Sequence, residues 1–250
     1  MEDGITIDYQ DTCPELPSEL WDKIWDCLPM SELLGAAEVD HALHDRLHRV
    51  EVQTQEQLAA ALALAHADLT LIVVTGDGLH LDAEPVSGAY VVTTCPITVS
   101  AGTVYVRGDV HVTATGSARV HAEERSEVVA DGNATVHAYH ETKITTNGEA
   151  AVYAYHQAQV TAAGSAFTHV QDNASVITCG LTVVNGYGHA RVTAHGFACV
   201  RVWDQADVIA HESVSVHAYG EAQVTAHDRV GVYVHQGARV ILHDQAKAWR

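Results

Sequence analysis

From Val110 onward the chain divides into consecutive blocks of eight residues without one insertion, ending at Gln245 and followed by the stub AKAWR. Typical blocks are ATVHAYHE, AAVYAYHQ, AQVTAAGS and ARVTAHGF; the consensus is A-x-V-x-A-x-[GDH]-x, and GTVYVRGD at 102–109 fits the same frame. So short a period means that each block is one structural unit that buries its apolar side only by stacking on its neighbours. Positions 1, 3 and 5 are small and apolar while 2, 4 and 6 are mostly polar, the period-2 pattern of a half-buried strand. Position 7, often Gly, Asp or His, supplies a turn with the polar position 8.

The blocks alternate in kind. Position 4 reads His137, Tyr153, His169, Asn185, Arg201, His217 and Tyr233 in one set, against Thr145, Thr161, Ile177, Thr193, Ile209, Thr225 and Ile241 in the other. Position 6 likewise gives Tyr139, Tyr155, Gln171, Tyr187, Trp203 and Tyr219 against Asn147, Ala163, Cys179, His195, His211 and His227. Like recurs over like in every second block, which predicts coils of two blocks and hence two strands per coil. The expected fold is mainly β: a flattened, single-stranded β-solenoid (β-helix) with a small N-terminal α-helical cap or head. Composition agrees, because 47% of residues are hydrophobic yet only 6% are aromatic. A narrow gap between two strands has room for Ala and Val.

Charge divides the chain. Residues 1–100 hold 18 acids and 3 bases, net −15, and residues 101–250 hold 14 acids and 10 bases, net −4, together the −19 of the whole. The predicted organisation is an acidic helical head at 1–53, a capping helix with irregular first coils at 54–101, and the solenoid at 102–250. In the head, Ser18 caps a helix with Leu20, Ile24, Trp25 and Leu28 on its apolar side; Pro29 stops it, and Ser31 starts another. A third helical stretch is expected from about Val39 to Val50.

Leu16-Pro17, Glu19-Leu20, Ile24, Leu28-Pro29, Leu33-Leu34 and Val39 follow one another in the pattern LPxEL…I…LP…LL…V. Over this stretch the chain resembles an F-box, with Leu43 standing where that family usually has Trp. The resemblance implies docking to the adaptor of a ubiquitin ligase through Leu20, Ile24 and Leu28, while a repeat domain meets the substrate. A second reading makes the same helices a cap over the open end of the solenoid. Further on, TQEQLAAALALAHADLTLIVVTGDGLHL resembles the opening of right-handed β-helix proteins, with a helix over 54–66 and a first strand at Thr70–Thr75. The body resembles the Ala/Val-rich octapeptide solenoids of bacterial and phage proteins, a likeness that speaks to fold.

Two faces of the solenoid differ in chemistry. One carries His137, Tyr139, Tyr153, Tyr155, His169, Tyr187, Trp203, His217, Tyr219, Tyr233 and His235, either a stack that stabilises neighbouring strands or a flat strip for a protein or glycan partner. Partner contact is expected at Tyr139, Tyr155, Tyr187, Trp203, Tyr219, His137 and His217. The other face carries Cys179, His195, His211, His227 and His243 in one column, with Glu212, Asp228 and Asp244 following three of them. Imidazoles about 4.8 Å apart are candidates to bridge Zn²⁺ or Ni²⁺, with the carboxylates in support, against the plainer reading of a solvated corner column.

No G-x-S-x-G, Walker loop or H-E-x-x-H is present, and each acid and His falls in a repeat column, so the chain reads as non-enzymatic with no cofactor expected. Its acidity argues against nucleic acid and anionic membranes as partners, and its charge permits the head to mimic nucleic acid. Five scattered cysteines suit reduced thiols, and with an acidic N-terminus predict a cytoplasmic protein. The sequons at Asn133 and Asn173 follow from the repeat frame. The last block leaves apolar Ala246, Ala248 and Trp249, which predicts a homodimer or end-to-end assembly through this coil. Three functions follow as candidates: a binding scaffold for a protein partner, a self-assembling structural solenoid of bacterial or phage origin, and metal capture by the His column.

Overall fold

Alternating residues with an apolar set on one side extend rather than coil, because only a strand puts every second side chain on one face. The computed structural model of the chain describes residues 48–64, 70–83, 89–235 and 237–249. Among these, two parallel sheets of thirteen and eleven strands receive successive strands in turn. The result is a β-solenoid of about 11 coils with repeats about 16 residues apart. No helix among the described residues is long and apolar enough to cross a membrane.

Register is regular wherever the eight-residue frame holds. His121 pairs with His137 and His137 with Tyr153, so each step of the ladder spans two blocks. The ladder also continues past the strand ends: Tyr139 N–H donates to Ala122 O at 2.9 Å, and Tyr155 N–H to Ala138 O at 2.9 Å. Backbone pairing through strand and corner alike makes each coil a template for the next.

Before the frame begins, coil length varies while the pairing persists. Strands β1 (His48–Val52), β2 (Thr70–Val74), β4 (Ala89–Thr93) and β6 (Thr103–Val106) lie in the larger sheet, and β3 (Leu79–Leu81) and β5 (Ile97–Val99) in the smaller. Thr70 pairs with Ala89, whereas Val91 pairs with Val104, a shorter step along the chain. Helix α1 (Gln55–Leu64) lies between β1 and β2. It opens with a capping box: Gln57 N–H donates to Thr54 Oγ1 at 3.3 Å, and Thr54 N–H to Gln57 Oε1 at 3.2 Å. Leu58 and Ala61 bury against the first coil, and Gln55 is tied to the His80 backbone by two bonds of 2.8 Å.

One expectation fails here. The helical stretch placed over Val39–Val50 is a strand in its last three residues, since His48–Val52 pairs in parallel with Thr70–Val74. Val50 and Val52 alternate with Arg49 and Glu51, so Val52 can enter the core, where it is fully buried. An available sheet edge outweighs weak helix propensity in Val and His. The rest of that stretch, and Leu20, Ile24 and Leu28, lie outside the described residues.

The interior is Ala and Val, as in Ala118, Val120 and Ala122, each fully buried, and Ile144 is the largest fully buried side chain of the regular coils. Buried hydroxyls replace methyls at Thr142, Thr146, Thr168, Thr178 and Thr182. Thr178 and Thr182 bond to each other, and the Thr142 hydroxyl donates to Tyr139 O at 2.5 Å.

Position 7 turns most described corners through the left-handed region. Gly116, Gly164 and Gly196 take φ of 59°, 78° and 77°, and so do Asp172, Asp204, Glu212, Asp228 and Asp244, with φ between 54° and 63°. At Gly116 a Cβ would sit 2.6 Å from Ser100 O, so glycine is required there. Where an acid stands instead, its carboxylate reaches back one coil to an otherwise unused backbone N–H. Gly196 N–H donates to Glu212 at 2.9 Å, Glu212 N–H to Asp228 at 2.9 Å, and Asp228 N–H to Asp244 at 3.3 Å.

Candidate partner-binding face

The outward residues of the larger sheet stack in two adjoining columns, because parallel register sets position 4 over position 4 and position 6 over position 6. The position-4 column starts with Tyr105, His121, His137 and Tyr153, whose ring centroids are 4.7, 4.8 and 4.8 Å apart and whose planes lie within 20° of parallel. Offset-parallel rings at this spacing attract, so the column stiffens the sheet as well as decorating it. Tyr105 and His121 belong to the ladder although the sequence reading started it at His137; the frame position was the signal that would have found them.

At His169 the ladder changes column. Gln171 leaves position 6 without a ring between Tyr155 and Tyr187, and the His169 ring leans into that gap, stacking on Tyr187 at 4.8 Å while tilting 36° from Tyr153. From there the position-6 column carries Tyr187, Trp203, Tyr219 and His235 at 4.6, 5.2 and 4.0 Å. A separate run, His217, Tyr233 and Trp249, closes position 4 at 4.6 and 5.2 Å. Trp249, expected to serve assembly, is thus also the last ring of the face.

From Tyr105 to Tyr219 these rings are half-buried, each giving its faces to its neighbours and its edge to solvent, while Tyr233, His235 and Trp249 are exposed. Burial pushes the Tyr139 and Tyr155 phenols above their ordinary pKa. It pulls His121 down to about 4, with help from its neighbours His137 and Arg119. His137 and His169 shift the same way for the same cause, and in His217 burial is joined by repulsion from Arg201 and His235. These four imidazoles are therefore held in the neutral form at pH 7.

Comparison with family models, curated proteins and solved structures gives no match.

The column offered for metal proves to be another stack. His195, His211, His227 and His243 lie face to face at 4.8, 4.8 and 4.6 Å with planes 5°, 9° and 8° apart. Parallel rings send their nitrogens along parallel lines, whereas a Zn²⁺ site needs donors that converge on one point. The carboxylates expected to assist, Glu212, Asp228 and Asp244, accept backbone N–H groups, and Asp244 also lies 3.8 Å from His227 Nδ1. Among the described residues no group of three or more His, Cys, Asp or Glu is placed to hold a metal ion. Metal capture by this column therefore stays an expectation: a shared column is not by itself a shared centre.

An open groove of about 610 Å³ follows the first corner beside the smaller sheet, lined by Asp109, Arg125, Glu127, Glu141, Lys143 and Gln157 among others. Its charges answer one another: Arg125 binds Asp109 through two bonds of 2.8 Å, and Lys143 lies 3.6 Å from Glu127. Exposed apolar side chains gather elsewhere, at Ile177 on the smaller sheet with Leu181 and Phe197 in the turns that follow its strands, and at Ile241, Leu242 and Trp249 in the last coil.

Proposed function

We propose that this chain is a non-enzymatic binding scaffold whose larger sheet offers its ring column to a protein partner. The observation that carries this reading is the run Tyr187, Trp203, Tyr219: three large rings, locked by stacking, half-exposed and mounted on a continuous backbone ladder. Rigid aromatic side chains lose little entropy on binding and recur as interface anchors. In the test, the intact chain is immobilised and a partner is captured from the source cells. A variant with Tyr155, Trp203 and Tyr219 replaced by Ala should retain its fold by circular dichroism and lose that partner. Equal capture by the variant refutes the reading.

The head belongs to the same proposal as an F-box-like adaptor-docking module acting through Leu20, Ile24 and Leu28, in a cytoplasmic setting that suits the free thiols Cys95, Cys179 and Cys199. Titration of the full chain with a ubiquitin-ligase adaptor, beside a variant with these three leucine and isoleucine residues replaced, tests it. The octapeptide-solenoid likeness to bacterial and phage proteins supports a second reading, self-assembly. It is favoured by the last coil, where Ile241, Leu242 and Trp249 are 60%, 42% and 48% exposed and Ala246 and Ala248 are incompletely covered. Light scattering should then give dimers that Leu242→Asp with Ala248→Asp converts to monomers.

A further inference from the structure

Among the described residues, Asp and Glu avoid one surface. From Thr103–Val106 to Lys247–Trp249, the outward positions 2 and 4 of the larger sheet hold no Asp or Glu. They hold instead Arg119, Arg201 and Lys247 together with rings and small residues. In a chain of net charge −19, a carboxylate-free strip is a place where an anionic partner meets least repulsion.

Within that strip the ring column of position 4 is interrupted once. Asn185 and Arg201 are register partners on neighbouring strands, and they stand between His169 and His217 in that column. Beside them, in position 6, the rings of Tyr187 and Trp203 lie 4.6 Å apart and 2° from parallel. On the other side stand half-buried Val183 and Cys199. The interruption thus sets an exposed guanidinium between an aromatic column and a half-buried apolar one.

The polar groups of this gap lack partners within the chain. Arg201 is exposed, and no ion pair or hydrogen bond to it occurs among the described residues. Asn185 Oδ1 is buried and without a hydrogen-bond partner. The Asp204 carboxylate, three residues along the chain, accepts Gly188 N–H and does not neutralise Arg201. An unpaired guanidinium on an otherwise carboxylate-free strip matches a carboxylate, and the flanking rings offer apolar area beside it.

Resting on the binding reading above, we infer that the gap at Arg201 and Asn185 takes an acidic side chain from an extended segment of the protein partner. Arg201 binds the carboxylate, and Tyr187 and Trp203 hold the adjoining apolar part of the segment. Partner specificity then lies in the gap of the ladder, and the rings supply area.

The test is selection of a displayed random linear-peptide library on the full chain, repeated on Arg201→Gln, Arg201→Lys and Arg191→Gln, the last an exposed arginine on the smaller sheet. Expected are peptides enriched in Asp and Glu whose affinity drops about tenfold in Arg201→Gln, the loss appropriate to a charge-assisted contact. Arg201→Lys should recover part of it and Arg191→Gln should change nothing. Acidic peptides insensitive to Arg201→Gln, or equally weakened by Arg191→Gln, overturn the assignment. Peptides without acids that are lost on Trp203→Ala but not on Arg201→Gln overturn it while leaving the ring column standing. Failure to retrieve any peptide sensitive to either residue overturns both. Displacement of the acidic peptides by a single-stranded dT oligomer at equal concentration would make the gap an anion site for nucleic acid and also sink the proposal.

Discussion

The indole of Trp203 lies on the phenol of Tyr187 with centroids 4.6 Å apart and planes 2° from parallel. Tyr219 covers the opposite face at 5.2 Å, so Trp203 is held between two rings on consecutive coils. Trp203→Ala removes both contacts at once, each worth about 0.5–1.5 kcal/mol beyond simple burial. Urea unfolding should show a loss of about 1–3 kcal/mol with the solenoid still formed. An unchanged midpoint would mean that the stack contributes only to recognition.

The interior tolerates nothing larger than what it holds. Ala154 is fully buried between coils, and Ala154→Leu should destabilise by about 3 kcal/mol or prevent folding, because overpacked cores force backbone shifts. Thr161→Leu, at an exposed position of the smaller sheet, should stay within about 0.5 kcal/mol of the parent. Similar effects at both positions would contradict a close-packed coil.

Corner acids have two tasks that substitution separates. Asp228 has φ of 54° and accepts the N–H of Glu212 at 2.9 Å. Asp228→Gly loses the hydrogen bond and keeps the left-handed turn, while Asp228→Val loses the bond and adds about 1–2 kcal/mol of backbone strain. Thermal midpoints should fall in the order Asp, Gly, Val; a valine variant as stable as the glycine one would disprove the account.

Acid should loosen the ring face. Burial holds His121 at about 4 against 6.5 for a free imidazole, so between those pH values the unfolded chain binds a proton that the folded chain refuses. Stability is complete above pH 6.5 and declines as pH falls toward 4, by about 3 kcal/mol for this group, with His137, His169 and His217 adding in the same direction. His121→Gln should flatten the pH profile measured by urea unfolding between those limits. A profile as steep as that of the parent would assign the acid sensitivity elsewhere.

Much of this was legible in the chain itself. Period-2 alternation fixed which side of Val136 or Ala138 faces inward, and the recurrence of Tyr and His in every second block, against Thr and Ile in the others, set two strands per coil. Both follow from strand geometry alone, where a side chain's face depends only on its place in the frame. The helix and strand expected at 54–66 and Thr70–Thr75 from the likeness to β-helix openings stand at Gln55–Leu64 and Thr70–Val74.

Tertiary structure decided what depends on neighbours in space. His48–Val52 extends because Thr70–Val74 offers it an edge. The His169 ring leaves its column because Gln171 vacates the adjoining one, and the carboxylates of Glu212, Asp228 and Asp244 turn to backbone N–H groups one coil away rather than to the imidazoles beside them in sequence. The repeat says which residues share a column. Only the stacking of coils decides whether they meet face to face, converge, or leave a gap.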